Sequence, residues 1–104
     1  MKTWKVWLTA STALLSFGAQ AATGEEIMTK SGCMACHAKD KKLVGPALKD
    51  VAAKYKGQNA VAKLMAKVRA GGSGVYGPIP MAPNPSGKIN DVDLKVAVEW
   101  VLKL

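Results

Sequence analysis

Cys33, Met34, Ala35, Cys36 and His37 set two thiols three positions apart, with a histidine directly after the second. This order is what covalent attachment of a c-type haem requires. Each sulfur adds to one vinyl group at the porphyrin edge, the two-residue spacer lets the sulfurs span those vinyls, and the next residue brings its imidazole under the iron. Other chemistries open to these residue types fit the chain less well. A redox dithiol sits near a βαβ pattern, and no strand-like alternating run is visible. A structural zinc site takes four ligands, usually Cys and His, whereas the chain has 2 Cys and 1 His, all inside the motif. A plain disulfide between Cys33 and Cys36 is the remaining alternative, because thiols of exported proteins often pair. The expectation is one c-type haem, anchored by Cys33 and Cys36, with His37 as an axial ligand of its iron.

A porphyrin iron has two axial faces, and the chain offers no second histidine. Beyond the first residues the methionines are Met28, Met34, Met65 and Met81. Met34 lies inside the attachment motif, on the histidine side. Met28 and Met65 fall on helical apolar faces, where methionine is usually core filling. Met81 stands apart in Pro80-Met81-Ala82-Pro83, 44 residues after His37. A thioether is a weak ligand for ferric iron and needs a stiff backbone to hold it, which the prolines supply. Met81 is therefore the expected second ligand, against the alternatives of simple packing or an open sixth position. Met/His ligation raises the reduction potential. A filled sixth position leaves no place for oxygen, peroxide or substrate, so the expected role is electron transfer without catalysis.

The elements that must hold these groups follow from caps and periodicity. Thr23-Gly24-Glu25-Glu26 matches a capping box, so a first helix is expected over 24–31, ended by Gly32. Residues 39–44 read as a charged loop leading to Gly45-Pro46. Ala47, Leu48, Val51, Ala52 and Tyr55 recur at helical spacing and predict a helix over 47–55. Gly57 breaks it, Asn59 is the expected cap of a third helix with Val61, Leu64, Met65 and Val68 on its inner stripe, and Gly71-Gly72 stop it. Five glycines and four prolines between 71 and 89 predict a stiff irregular loop without helix or strand. Asn90-Asp91 cap a last helix whose face carries Leu94, Ala97, Val98 and Val101, flanked by Trp100. The fold class is all-α: four short helices wrapped around one covalently attached haem.

The first residues read as an export signal. Lys2 and Lys5 precede a largely apolar stretch, and Ala19-Gln20-Ala21 is a small-x-small cleavage site. Polar residues interrupt that stretch, which suits a cleaved signal better than a permanent span of about 20 apolar residues. The expected organisation is a cleaved signal peptide over 1–21, with cleavage after Ala22 the next choice, and a single monohaem domain over 22–104. No stable membrane insertion is expected after cleavage. Of the 104 residues, 83 then remain, few enough that the core is marginal and the cofactor must act as the staple. Cleavage takes the formal charge from +8 to +6. A basic surface suits nucleic acid, an anionic membrane or an acidic protein partner. With one arginine and no basic run flanked by aromatics, nucleic acid is excluded as a partner.

The motif, together with Val44-Gly45-Pro46-Ala47, Asp50-Val51-Ala52-Ala53-Lys54-Tyr55, Gly77-Pro78-Ile79-Pro80-Met81 and Trp100-Val101-Leu102, resembles the small bacterial class I cytochromes c of the c-551/c-552 type in order along the chain. The resemblance covers essentially all of residues 22–104. It implies His37 and Met81 as axial ligands and Cys33 and Cys36 as thioether anchors. It places Pro46 against the histidine, with the backbone before it accepting the ring N–H, a bond that would fix the tautomer. Asn84 matches a position whose side chain points at the methionine sulfur, Lys67 a basic residue near a haem propionate, and Tyr76 stands where the subgroup usually has tryptophan. Ala82 replaces a usual proline, and the connection from Met81 to Trp100 is slightly long. The implied function is a periplasmic single-electron carrier. Its donor would be a quinol-oxidising complex or another cytochrome, its acceptor an oxidase or nitrite reductase, and its partners would present acidic docking surfaces. Lys30, Lys39, Lys41, Lys42 and Lys49 are near enough in sequence to ring the exposed haem edge. The alternative is a haem enzyme or gas sensor with an open sixth coordination site.

Overall fold

The computed structural model describes residues 22–104, with positions 2, 3 and 12 before them. The expected export segment and its cleavage site lie outside the continuous described region. The chain runs α1 (Gly24–Lys30), a 3-10 turn (Cys33–Ala35), α2 (Leu48–Lys54), α3 (Val61–Ala70), β1 (Gly72–Gly74), β2 (Gly77–Met81) and α4 (Asp91–Leu102).

The cap of α1 forms as its residues dictate. The Thr23 hydroxyl oxygen accepts from the Glu26 backbone N–H at 3.2 Å, and its O–H lies 3.0 Å from the Glu26 carboxylate. Glu25 and Glu26 sit in the first turn and Lys30 in the last, each complementing the helix dipole. Gly32 then adopts φ 80, a left-handed conformation that suits glycine, and turns the chain into the attachment motif. α4 opens in the same way, with the Asn90 side chain accepting the Asp93 N–H at 2.8 Å.

Two local expectations fail. Asn59 does not cap α3; the N-cap is Ala60, without a side-chain bond. Ala60 is buried and its carbonyl accepts from Leu64, so burial sets the start of the helix one residue beyond the polar side chain. The glycine- and proline-rich segment is not irregular throughout. β1 and β2 pair antiparallel, with Gly72 opposite Met81 and Gly74 opposite Gly77. Pro78 and Pro80 lie between the paired positions Gly77 and Met81, where the register is irregular, and a two-stranded sheet with a bulge is where a strand tolerates proline.

The core is one cluster drawn from every helix but α3: Ile27, Met28, Leu48, Ile89, Leu94, Ala97, Val98 and Val101. α4 crosses α1 at very close range, since a Cβ on Gly24 would lie 2.1 Å from the Trp100 Cβ. The inner stripe of α3 behaves differently. Val61, Leu64, Met65 and Val68 pack against the cluster but are only half-buried. Leu64 and Val68 face a cavity instead. The apolar stripe of α3 is thus left half-covered and open to that cavity, free to pack against a bound group. Among the described residues, no helix is long and apolar enough to cross a membrane.

Candidate haem site

The cavity encloses about 550 Å³ and lies between α2, α3, α4, the 3-10 turn and the hairpin. Its size falls in the range of small-molecule and cofactor sites, about 300–1,000 Å³. Leu48, Leu64, Val68, Ile89, Leu94 and Val98 give it apolar walls. Onto that surface the fold brings Cys33, Cys36 and His37 from one stretch and Met81 from another. Pro46, Lys67, Tyr76 and Asn84 line it as well.

The two thiols are not joined to each other. Burial pushes the Cys33 thiol up, and the nearby Lys88 ammonium opposes this only in part. His37 is fixed by a 2.9 Å bond between Nδ1 and the carbonyl of Pro46. The acceptor is Pro46 itself and not the backbone before it. With Nδ1 donating, Nε2 keeps its lone pair for a metal.

Gly45 is what lets the imidazole lie there. A Cβ at this position would come within 2.5 Å of His37 Cε1 and 2.9 Å of Nδ1. The Gly45 backbone is itself tied down, its N–H donating to the Cys36 carbonyl at 2.8 Å, so the ring and not the backbone must yield. Gly45→Ala is expected to turn the ring off the Pro46 carbonyl and to destabilise the protein by about 1–3 kcal/mol, the usual cost of overpacking. Thermal unfolding with the visible spectrum as a second readout checks this; an unshifted midpoint and spectrum would contradict it.

Met81 ends β2, half-buried, opposite Gly72. The loop after it is fastened to the end of α3 through Asn84, which is buried at 6 % exposure. The Asn84 amide nitrogen donates to the carbonyls of Val68 at 3.2 Å and Ala82 at 3.0 Å, and its backbone N–H bonds to Val68 at 3.1 Å. Both side-chain amide hydrogens therefore go to carbonyls of the loop and helix. Gly71, with φ 66, lets the loop close down, since a Cβ there would stand 2.4 Å from the Met81 carbonyl oxygen. Met28 also borders the cavity, but as a member of the buried core cluster.

Tyr76 occupies the hairpin turn at the cavity edge. Burial pushes its phenol up, with Tyr55 and Asp50 adding to the effect. It is therefore a neutral hydroxyl, able to donate to a carboxylate, at physiological pH. Lys39 lies 2.7 Å from Glu25 and 5.7 Å from the centre of the Trp100 ring. Of the five lysines near in sequence only Lys42 lines the cavity, and Lys67 and Lys88 join it. Lys88 was not legible beforehand, because it reaches the Cys33 side from a loop distant in sequence and no local pattern marks it.

The donor set and the apolar walls fit a haem, with two sulfurs for the ring edge and a nitrogen and a thioether for the iron. The model of the cytochrome c family matches residues 21–104. Over 81 residues the chain is 53% identical to cytochrome c-551 of Azotobacter vinelandii, covering 77% of this chain and 95% of that one. It is 43% identical to cytochrome c-552 of Nitrosomonas europaea over 105 residues, covering 100% of this chain and 99% of the other. The crystal structure of wild-type N. europaea cytochrome c552 superposes with a TM-score of 0.69 at 42% identity, covering 77% of this chain and 98% of that one. Four helices with a small two-stranded sheet around a cavity holding the C-x-x-C-H residues, together with these matches, place the chain in the cytochrome c family, as a small electron-carrier protein with one covalently attached c-type haem.

Proposed function

We propose that the chain is a periplasmic single-electron shuttle in which His37 and Met81 would hold the haem iron. The observation that carries this reading is the convergence of Cys33, Cys36, His37 and Met81, from two distant stretches of sequence, on one apolar cavity. When bound, the haem supplies a one-electron ferric/ferrous couple. The protein's own part is to hold the ligands still. The Pro46 carbonyl orients the imidazole, and the Asn84 bonds fasten the Met81 loop. A thioether ligand favours the reduced state and raises the potential. Apolar walls keep water from the iron, and Lys67 and Tyr76 offer a cation and a hydroxyl to the propionates.

Cys33 and Cys36 would anchor the haem edge at the surface, since Cys36 is exposed, and that edge would be where electrons are exchanged. Lys42 and Lys88 border the same cavity, and the net positive charge favours acidic partners. The donor is a quinol-oxidising complex or another cytochrome, and the acceptor an oxidase or nitrite reductase. Steering of this kind weakens as the Debye length shrinks. The rate of electron exchange with an acidic redox protein is expected to fall about tenfold between low and physiological salt, while the reduced protein refuses carbon monoxide. A flat salt response would remove the steering. Ready carbon monoxide binding would favour an open-site haem enzyme or gas sensor in place of the shuttle.

A further inference from the structure

Arg69, the chain's single arginine, takes no part in the contacts described above, yet its side chain makes three polar contacts. From the last turn of α3 its Nη1 donates to the carbonyl of Asn84 at 3.0 Å and to that of Ile89 at 2.6 Å. Its Nη2 donates to the Asp91 carboxylate at 2.6 Å. One side chain thus ties both ends of the loop after Met81 to α3, and ties that loop to the first turn of α4. The two carbonyls would otherwise need water, and the guanidinium reaches all three acceptors at once because it is a planar fork.

The placement matters because of what lies between. Asn84 is fastened to α3 on its other side, through its backbone N–H and its amide. Met81 is therefore held between two anchors, Gly72 across the hairpin and the Asn84–Arg69 junction three residues on.

We propose that Arg69 is a positioning residue for the Met81 thioether: it sets how firmly the sulfur stays at the iron, by closing the loop of residues 84–89 against α3. This rests on Met81 being the axial ligand. A lysine at 69 can reach one of the three acceptors, not all of them, and therefore does not substitute. Loosening the loop raises the fraction of time that the sulfur is away, and an external ligand binds in proportion to that fraction.

The test uses the intact haem protein and three variants: Arg69→Lys, Arg69→Met, and Thr23→Ala as a control that removes a helix cap on α1. The readouts are the weak far-red sulfur-to-iron band of the oxidised form and the rate of carbon monoxide capture by the reduced form, both well below the unfolding temperature. Arg69→Lys and Arg69→Met are expected to weaken or shift the band and to speed capture by about tenfold. Thr23→Ala is expected to lower the unfolding midpoint without moving either. Arg69 variants that keep the parent band and capture rate, and lose only thermal stability, would overturn the proposal and make Arg69 a plain staple. A parent protein without the band would overturn the Met81 ligation beneath it. Arg69→Lys, the milder change, keeps the test decisive should Arg69→Met fail to fold.

Discussion

Freed of its haem, the chain is expected to lose its cooperative fold altogether. The cavity is about 550 Å³ and its apolar walls would be covered by the haem, while the whole stability of a domain of this size is only about 4–12 kcal/mol at about 0.05–0.15 kcal/mol per residue. The structure indicates where the loss falls. α3 contributes no fully buried residue, so its Leu64 and Val68 depend on the cofactor for cover. Met81, His37 and the hairpin lose their common partner at the same time. A Cys33→Ala/Cys36→Ala chain purified without haem is expected to show little helical circular dichroism and no sharp thermal transition. A cooperative melt with native helix content would show that the protein core alone suffices.

Met81→Ala is expected to convert a closed electron carrier into a ligand-binding haem protein. On the proposed ligation, the parent would bind carbon monoxide only through the rare state in which the Met81 sulfur is away. If the thioether and its loop favour the closed state by about 4 kcal/mol, the open state has a weight of about one in a thousand, and removing the sulfur raises apparent affinity by about a thousandfold. The same change removes the far-red band and lowers the potential, since the soft ligand that favours ferrous iron is gone. The fold survives it, because Met81 is half-buried and outside the core cluster. Titration of the reduced variant with carbon monoxide checks the affinity. A variant that still refuses the gas would mean that another side chain holds the sixth position.

What could be read beforehand was local or periodic. The attachment motif is five consecutive residues, and the buried face of α4 follows from spacing alone: Leu94, Ala97, Val98 and Val101 are all buried. Met81 drew attention because prolines flank it, and the fold does bring it to the same cavity as His37. The hairpin was missed because glycine and proline argue against strands on average. Which edge a proline faces depends on register, and register needs the partner strand. Lys88 beside Cys33, the imidazole lying on Gly45 and the three acceptors of Arg69 are contacts between distant stretches, invisible to any window along the chain. The cap at Asn59 failed for the opposite reason: a favourable local bond lost to the burial of Ala60.

The most direct test of the account is to see which sulfur sits over the porphyrin. Met28 and Met81 both border the cavity, and a methyl group held directly above the ring is shifted far upfield by the ring current. In reduced protein labelled at the methionine methyls, one resonance is expected far upfield, absent from Met81→Leu and intact in Met28→Leu. A shifted methyl that vanishes with Met28 instead, or no shifted methyl at all, would contradict the assignment of Met81 to the iron.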